Sequence, residues 1–402
     1  MRGILTVAIL VLPMHAYAYE WVFSDAIAVT KPDKTGTFRH MESSGRKNIA
    51  VSGEVVAVTW EDNRTGSPQT FVAFKGFDST SFSSAIQLST GKNAYEPSIV
   101  SLHSGSFLAA WEQDGHVVTR LVSQNGVGEM VPLDTHDSSQ VSMAVTAKGK
   151  IYSAWASRDG GISRIVSAVL APENNHISVA QVVPVDAKPP VQDQLYPSLA
   201  ASGEGVAIAW EDRRHMHTRL YYSYSTDGSK FSAPQLLNQF IPSENPQYGS
   251  GTGVTRVALA SNFQNLVSAT WMDKRFFQGG YDIYASTSED GGRSFSKNEL
   301  VQDIGGENIP QWHPAIAVHP TGVVVVAWDD NRYDTPDIWI SWREHGVWSD
   351  DVSPVQASGA GAQSNPAITI DSKGQLHMAW VTRMDNQDSQ VFYLSGKLIN
   401  TN

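Results

Sequence analysis

Residues 324–328 read Val-Val-Val-Ala-Trp, a short apolar run that ends in tryptophan and is followed by a polar loop. The same frame occurs seven times, with Trp60, Trp111, Trp155, Trp210, Trp271, Trp328 and Trp380 as the last apolar residues. The tryptophans recur about every fifty residues, a period typical of one four-stranded propeller blade with its turns. The runs lack the three-and-four spacing of helices. The repeat therefore predicts an all-β, seven-bladed β-propeller with four-stranded antiparallel blades.

The N-terminal residues have the organisation of a secretory signal peptide. A charged start at Arg2 precedes an apolar stretch, and residues 16–18, Ala-Tyr-Ala, form a small-residue cleavage site. The apolar stretch is too short to cross a bilayer. We therefore expect a signal peptide over residues 1–18 and one propeller domain over residues 19–402. The protein is expected to be exported, either periplasmic or extracellular, and not to span the membrane.

Composition argues against several classes of function. The 402 residues include 29 lysines and arginines and 40 acidic residues, which gives a formal net charge of −11. Such a chain repels the phosphate backbone, so nucleic acid is not expected as a partner. The sequence has no cysteine, which leaves no disulfide framework and no thiolate chemistry. It also has no phosphate-binding loop, nucleophile elbow or dinucleotide motif.

The order of strands within a repeat predicts how the ring closes. In several repeats the fourth, outer strand begins with an aromatic residue and a serine, as at Phe295 and Ser296. The seventh repeat has no such strand after residue 394, whereas Phe23 and Ser24 follow the expected signal peptide. We therefore predict that residues 21–30 pair with residues 391–395 and complete the last blade. Closure would remove an exposed sheet edge.

The second strands of four repeats end in the pattern W-x-D-x-R. It comprises Asp62 with Arg64, Asp212 with Arg214, Asp273 with Arg275, and Asp330 with Arg332. A catalytic residue is usually needed once, so fourfold repetition favours an ion pair that orders each loop.

The turn between the third and fourth strands of the fifth repeat carries another motif. Residues 288–295, SEDGGRSF, fit the pattern S-x-D-x-G-x-x-aromatic, with degenerate copies at residues 225–231 and 341–348. Ser288 and Asp290 can bond backbone amides of the turn, and Phe295 can pack between sheets. Together with W-x-D-x-R, this motif resembles the Asp-box, or BNR repeat, of the sialidase (neuraminidase) superfamily. The resemblance implies a glycan-recognising propeller with exo-sialidase-like hydrolase activity, although sialidases have six blades and seven are counted here.

The alternation of strand direction sorts the connections onto two faces. The loops after the tryptophan strands and the connections between blades share one face, called the loop face here. The opposite face, called the turn face, carries the turns between first and second strands and the turn at residues 288–295. Long loops on one side of a rigid ring usually carry function, so we predict that ligands bind at the loop face.

Residues just before the apolar part of each inner strand should surround the channel mouth. They are Lys47, Glu96, Gln140, Tyr196, Arg256, His313 and Asn365, with Arg46 and Tyr95 one position earlier. Seven different polar groups at equivalent positions are expected if each contacts a different part of one ligand. Polar residues that merely face solvent in the channel would give the same pattern.

These residues suggest roles in binding and cleavage. The sialidase resemblance implies that Arg46 binds a substrate carboxylate, because an arginine stands at the start of the first inner strand in that family. Guanidinium forks suit this role, and Arg256 is a second candidate. Further substrate-binding candidates are Lys47, Tyr196 and His313.

Glycoside cleavage needs two carboxyl groups that flank the bond. The catalytic candidates are Glu96 together with Asp62 or Asp330.

The leading hypothesis is an exported, sialidase-like propeller that recognises a glycan or other acidic small ligand at the channel mouth. The first alternative is a non-catalytic scaffold that presents its loop face to a partner protein. The second is a metal-binding propeller with ligands among His215, His217 and His313, because His215 and His217 would project to the same side of an extended chain. No other cofactor is expected.

Overall fold

The computed structural model describes residues 19–32, 36–42, 45–215, 217–239, 253–275, 280–304, 309–384 and 388–401, without the side chain of His215. The expected signal peptide, residues 1–18, lies outside the described residues, as do parts of several blade connections. The described residues form seven antiparallel sheets, which are the seven blades of a β-propeller. The predicted fold class is therefore confirmed.

The strands of the blades follow one another in chain order, apart from the first two. Strands β1 (Tyr19–Phe23) and β2 (Ile27–Ala28) belong to blade 7. Blade 1 contains β3 (Arg39–His40), β4 (Ile49–Ser52), β5 (Val55–Asp62), β6 (Gln69–Gly76) and β7 (Ile86–Gln87). Blade 2 contains β8 (Ala94–Ser101), β9 (Ser106–Gln113), β10 (His116–Ser123) and β11 (Gly126–Pro132). Blade 3 contains β12 (Asp137–Val145), β13 (Ile151–Asp159), β14 (Ile162–Glu173), β15 (His176–Val179) and β16 (Val183–Pro184).

The remaining blades continue this order. Blade 4 contains β17 (Gln194–Ser202), β18 (Gly205–His215), β19 (His217–Ser225) and β20 (Gln235–Leu236). Blade 5 contains β21 (Val254–Ser261), β22 (Val267–Asp273), β23 (Asp282–Ser288) and β24 (Glu299–Leu300). Blade 6 contains β25 (Gln311–Val318), β26 (Val324–Asp330), β27 (Asp337–Glu344) and β28 (Val347–Trp348), followed by a short 3-10 helix, Val355–Ala357. Blade 7 contains β29 (Ala362–Ile370), β30 (Gln375–Arg383) and β31 (Gln390–Asn400).

The repeated tryptophans form the centre of the packing between blades. All seven are at most 1% exposed. Each lies in an apolar cluster that joins neighbouring sheets; Trp328 of blade 6, for example, shares a cluster with Ala258 and Ile283 of blade 5. Truncation of a buried tryptophan to alanine typically costs about 3–5 kcal/mol, so the repeat that reveals the fold in the sequence also stabilises it.

The ring closes as predicted, between the N-terminal segment and the last strand. Strand β1 pairs antiparallel with β31, from Tyr19 opposite Asn400 to Phe23 opposite Gly396. The pairing continues at β2 with Ile27 opposite Tyr393.

The aromatic-serine signal has a clear physical role at this closure. In five blades the serine hydroxyl accepts a hydrogen bond from an amide of the third strand, and the serine amide donates to the carbonyl of the same residue. The pairs are Ser24 with Ser395, Ser83 with Phe74, Ser232 with Tyr224, Ser296 with Thr287, and Ser349 with Trp342. The N-terminal segment thus makes the same outer-strand contact as the other blades.

The turn at residues 288–295 is held by its own side chains, in agreement with the local role expected for them. Ser288 Oγ accepts a hydrogen bond from the Gly292 amide at 2.8 Å. Asp290 Oδ1 accepts the amides of residues 293 and 294 at 3.0 and 2.9 Å. Burial acts to raise the pKa of Asp290, but the hydroxyls of Ser294 and Ser288 and the amides of residues 294 and 293 together lower it to about 2. Phe295 packs edge-on against Tyr222 of blade 4.

Six inner strands share a β-bulge at the residues predicted to surround the channel mouth. The residue in the bulge has a positive φ angle in each case: Glu96, Gln140, Tyr196, Arg256, His313 and Asn365, with φ between 49° and 62°. In blade 1 the expectation that Lys47 takes this position is wrong by one residue. Ile49 pairs with Val58 in blade 1 as Ile99 pairs with Ala109 in blade 2. Arg46 precedes Ile49 by three residues, as Glu96 precedes Ile99, so Arg46 is the residue equivalent to Glu96.

None of the helices in the described part of the chain has the length and hydropathy that a membrane crossing requires.

Candidate functional site at the loop-face mouth of the channel

The aspartates of the W-x-D-x-R loops are buried, and each accepts hydrogen bonds from the tryptophan and the arginine of its own loop. Asp62 accepts the indole N–H of Trp60 at 2.9 Å and the Nε of Arg64 at 2.8 and 2.9 Å. The Arg64 guanidinium also lies over the ring of Phe71, 4.4 Å from its centre. The same pairing occurs at Asp212 with Arg214, Asp273 with Arg275, and Asp330 with Arg332. These contacts confirm the predicted ion pair that orders each loop.

This arrangement bears on two of the catalytic candidates. The carboxylates of Asp62 and Asp330 are both buried, and each is held by the tryptophan of its own strand and by the arginine two residues later. Both groups thus maintain their loops. A catalytic role for either stays a prediction that this geometry does not support.

The acidic residue directly after the tryptophan has a second repeated function. In four blades its carboxylate accepts a backbone amide of the bulge residue in the next blade. The pairs are Glu61 with Glu96, Glu112 with Gln140, Glu211 with Arg256, and Asp329 with Asn365. An unpaired buried amide is costly, so each carboxylate fixes the neighbouring bulge. These acids therefore lie in a ring around the channel mouth.

Blade 1 departs from the common inner strand by a longer insertion. His40 pairs with Glu61 as Tyr95 pairs with Glu112, one residue after the tryptophan in both blades. The next common position is Asn48, whose carbonyl accepts the Thr59 amide. Between these positions blade 1 has residues 41–47, where blade 2 has only residues 96 and 97. We call the described residues of this insertion, 41, 42 and 45–47, the channel segment.

The channel segment lies inside the ring and contacts the inner strands of four other blades. The Lys47 carbonyl accepts the Ile99 amide of blade 2 at 2.7 Å. The Gly45 carbonyl accepts the Ser142 hydroxyl of blade 3 at 2.8 Å. Lys47 Nζ donates to the Leu199 carbonyl of blade 4 at 3.4 Å, and Glu42 pairs with Arg256 of blade 5 at 2.9 Å. The segment therefore separates the loop-face mouth from the rest of the channel.

Arg46 is at the centre of the mouth but is 2% exposed. Its Nη2 pairs with Glu96 Oε2 and lies 3.9 Å from Glu112 Oε1. Its guanidinium lies 5.6 Å from the centre of the Tyr196 ring. Burial acts to lower the pKa of Arg46, but the surrounding carboxylates raise it above its usual value. Arg46 is therefore a permanent cation that is already paired with the Glu96 carboxylate of blade 2.

Arg256 also lies over the ring of Tyr196. Its guanidinium is 4.7 Å from the centre of the Tyr196 ring, and its Nη1 is 2.9 Å from Glu42 Oε1. Tyr196 is thus flanked by both candidate arginines, and Arg256 remains partly exposed.

Two histidines complete the cluster. His313 Nδ1 lies 2.9 Å from Asp329 Oδ1. Burial acts to lower the pKa of His313, but the hydrogen bond with Asp329 and its charge raise it above the ordinary value. His40 behaves oppositely, because burial lowers its pKa and the charges of Glu42 and Glu96 only partly compensate. The cluster therefore holds one imidazole that favours its proton and one that releases it.

Two carboxyl groups of the mouth titrate near neutral pH. Burial raises the pKa of Glu61 to about 7, with further contributions from the charges of Glu96 and Glu42. Burial also raises the pKa of Glu112 to about 7, helped by the charge of Glu96 and by a hydrogen bond between the two side chains, while Arg46 opposes the shift. Below about pH 7 the protonated carboxyl group of Glu112 thus lies against the carboxyl group of Glu96.

Aromatic rings stand next to these charged groups. Tyr95 and Trp312 immediately precede the bulge residues Glu96 and His313, and they are 39% and 38% exposed. The Trp312 ring contacts that of Tyr281 at 5.4 Å between centres. Phe38, also exposed, stacks on His40 at 6.1 Å. Large apolar side chains with this exposure, grouped around polar groups, are typical of ligand-binding surfaces.

The structure brings five of the sequence-derived candidates together and separates a sixth. Arg46, Glu96, Tyr196, Arg256 and His313 share the mouth, where we call them, with His40, Glu42, Glu61 and Glu112, the mouth cluster. The side chain of Lys47 turns away from this cluster, to the other side of the channel segment.

The metal hypothesis gains no support from the described residues. His215 and His217 do not follow one another along one extended strand, because they are partners in the adjacent antiparallel strands β18 and β19. The side chain of His215 lies outside the described residues. Within the described part of the chain no group of three histidines or acids is arranged to hold a metal ion.

Reasoning from the sequence missed Glu42, Glu61, Glu112 and Trp312. A signal for two of them was present, because an acid directly follows the tryptophan at Glu61, Glu112, Glu211 and Asp329. Glu42 had no such signal, since its position depends on how the channel segment crosses the ring.

No protein-family model and no curated protein matches the chain. Solved structures that it resembles include an α-L-arabinanase from Penicillium chrysogenum complexed with arabinobiose, at 14% identity and a TM-score of 0.46 over 72% of this chain and 89% of that chain. An α-L-arabinofuranosidase from Fusarium graminearum complexed with an iminosugar inhibitor has 14% identity and a TM-score of 0.46 over 73% and 89%.

A puromycin-hydrolysing peptidase from Mycobacterium tuberculosis has 11% identity and a TM-score of 0.52 over 88% of this chain. The match covers 52% of the peptidase chain, so this protein spans about half of its length. At these identities the resemblance is one of fold.

Proposed function

We propose that this protein binds a glycan at the loop-face mouth of the channel. The observation that carries the proposal is the placement of Tyr95 and Trp312, two exposed aromatic rings, directly beside Glu96 and His313 of the mouth cluster. A sugar has apolar ring faces that suit flat aromatic side chains and hydroxyl groups that suit charged hydrogen-bonding partners. Apolar surfaces with a few well-placed polar groups are the usual composition of small-molecule sites.

The charges of the mouth cluster favour a neutral glycan over an acidic one. The two arginines are already paired with Glu96 and Glu42. Glu61 and Glu112 also belong to the cluster, and burial raises the pKa of both carboxyl groups to about 7. An anionic sugar would have to displace the internal pairs, and its charge would oppose ionisation of these two carboxyl groups. The sialidase-like part of the sequence interpretation is therefore replaced in this proposal by a neutral ligand.

Hydrolysis is a second candidate function, favoured by the pair of Glu96 and Glu112. Cleavage of a glycosidic bond requires one protonated and one ionised carboxyl group, and the raised pKa of Glu112 provides a proton donor near neutral pH. The hydrogen-bonded pair is closer than the spacing of about 5 Å or more found in glycosidases. A productive substrate would have to separate the two groups.

The cellular setting of the proposal comes from the sequence. The signal pattern of residues 1–18 supports export, so we propose that the glycan is met in the periplasm or outside the cell. Detection of the mature protein, starting near residue 19, in an extracytoplasmic fraction tests this part.

The central experiment measures binding of wild-type protein to a panel of neutral and sialylated oligosaccharides. We expect micromolar to millimolar binding to a neutral member, and at least tenfold weaker binding after Trp312→Ala or Tyr95→Ala. Tyr333→Ala is the matched control, because Tyr333 is an exposed aromatic of the same face that packs on Trp339 and not on the mouth cluster. A panel without any ligand, with folding intact, would favour the scaffold that binds a partner protein.

Hydrolysis is tested on whichever oligosaccharide binds. Release of new reducing ends by the wild type, abolished by Glu96→Gln with binding retained, supports an enzyme. Binding without release in the wild type leaves a glycan-binding protein.

A further inference from the structure

A cavity of about 420 Å³ lies along the propeller axis on the turn-face side of the channel segment. Its walls are inner-strand side chains, among them Ile49, Ile99, Ile316 and Ile368. Its outer rim is formed by turns between first and second strands, including Asn262 and Ser372. The volume falls within the range of about 300–1,000 Å³ that is typical of small-molecule sites.

Lys47 forms the inner end of this cavity. The Lys47 ammonium reaches across from blade 1 to the Leu199 carbonyl of blade 4, and this contact is long, at 3.4 Å. Burial lowers the pKa of Lys47 to about 8, and no carboxylate of the described residues opposes that shift. The nearest acids on the other side of the channel segment are already paired with Arg46 and Arg256. Lys47 is therefore a cation in an apolar channel with one neutral partner.

The one acidic residue among those that line this cavity is already engaged. The carboxylate of Asp371 accepts the amides of Lys373 and Gln375 at 2.8 and 2.9 Å and lies 3.4 Å from His377 Nε2. Its hydrogen bonds thus hold the turn at the rim. Asp371 does not neutralise Lys47, and the lining of the cavity combines an apolar wall, a polar rim and a cationic end.

We propose that this axial cavity binds a small amphipathic carboxylate, with its headgroup on Lys47 Nζ and its apolar body along the inner strands. Lys47 is half-buried, and its charge has no anionic partner among the described residues, so a charge-assisted hydrogen bond from a carboxylate would be favourable there. The isoleucine and alanine walls offer no hydrogen bonds and suit a hydrocarbon body. The site opens on the turn face, so it is separate from the glycan site and does not depend on it.

The test titrates the wild-type protein by calorimetry with four probes of related shape. Octanoate carries both features, acetate has only the headgroup, 1-octanol has only the apolar body, and octylamine carries the opposite charge. We expect 1:1 binding of octanoate that is at least tenfold tighter than that of 1-octanol or octylamine, with acetate weaker still. The wild-type series alone overturns the proposal if octanoate does not bind, or if 1-octanol binds equally well.

Variants locate the site. Lys47→Met keeps the apolar stem and removes the charge, so octanoate should bind at least tenfold more weakly while 1-octanol is unchanged. Lys373→Met is the matched control, because Lys373 is an exposed lysine of the turn face that pairs with Glu54. Equal octanoate affinity of wild type and Lys47→Met would contradict the proposed headgroup contact. Loss in the Lys373→Met control instead would place the binding on the exposed surface and overturn the proposal as well.

Discussion

The backbone amide of Arg256 donates a hydrogen bond to Glu211 Oε1 at 2.9 Å, although the two residues belong to neighbouring blades. The Thr255 hydroxyl donates to the same oxygen at 2.6 Å. Since the acid follows Trp210 directly, the residue that fills the core and the residue that positions the next blade are adjacent in the sequence. Three further blade pairs repeat this link.

Replacement of Glu211 tests the link between blades. Glu211→Ala leaves the Arg256 amide and the Thr255 hydroxyl without their acceptor, and each buried unsatisfied donor typically costs about 1–3 kcal/mol. Glu211→Gln keeps an acceptor oxygen and should lose much less. The free energy of unfolding from urea titration measures both. Equal losses in the two variants would show that the charge, and not the acceptor, stabilises the contact.

The channel segment can be tested through Gly45, which has a φ angle of +77°. A Cβ atom there would lie 2.9 Å from the Val257 carbonyl oxygen. Gly53→Ala is the matched control, because Gly53 has φ +60° and nothing within 4 Å of the added atom. Gly53→Ala should lower the free energy of unfolding by only about 1–2 kcal/mol, the cost of a positive φ angle at a residue with a side chain. Gly45→Ala should lower the free energy of unfolding by about 1–3 kcal/mol more than the control, because the added Cβ atom would overpack the channel segment. Equal denaturation midpoints would argue against the packing described here.

The carboxyl groups of Glu61 and Glu112 predict a dependence of stability on pH. Their pKa of about 7 in the folded protein exceeds the ordinary glutamate value of 4.5, so between these values the folded state holds more protons than the unfolded state. Their contribution to stability is therefore present below pH 4.5, falls as the pH rises to 7, and is lost above that.

Glu112→Gln should flatten part of this slope. Thermal unfolding midpoints of wild type and variant, measured between pH 4.5 and 8, provide the comparison. Parallel curves for the two proteins would mean that Glu112 titrates normally.

Lys47 is expected to change stability with pH in the opposite direction. Its pKa of about 8 in the folded state lies below the ordinary lysine value of 10.5, so the unfolded chain holds the extra proton between these values. The contribution of Lys47 to the free energy of unfolding should therefore increase as the pH rises from 8 to 10.5. Lys47→Met should be more stable than wild type at pH 7, and the advantage should shrink over that window. Unfolding midpoints of Lys47→Met and the Lys373→Met control at pH 7 and 10 measure this difference.

The sequence predicted the ring better than the site, for physical reasons. The buried tryptophans and the Phe23–Ser24 pair predict strands, because each makes a contact that is repeated from blade to blade. A repeated contact uses the same residue types each time and therefore leaves a pattern in the sequence. The channel segment leaves none. Its length moves the position equivalent to Glu96 from Lys47 to Arg46, and Glu42 of the segment pairs with Arg256 of blade 5 across the ring.

The charged groups of the mouth illustrate the same limit. Arg46, Arg256 and Glu96 were recognisable as candidates because they break the repeat at equivalent positions. Arg46 pairs with Glu96 of blade 2, and Arg256 of blade 5 pairs with Glu42. Neither pair could be predicted, since both depend on how the insertion of blade 1 crosses the ring. Arg46 therefore differs most from expectation: it lies at the mouth, yet it is buried by its own partners.

Closure of the last blade has a consequence for how the protein reaches its fold. Ser24 and Ser395, which bond across the closing strands, are 371 residues apart along the chain. The ribosome makes β1 before, and β31 after, the other six blades, so the ring stays open until synthesis is nearly complete. Such distant pairing slows folding, and the waiting strand edge can capture another chain. Refolding yield should therefore fall as protein concentration rises, with exchange of the β1 strand between molecules as the competing outcome.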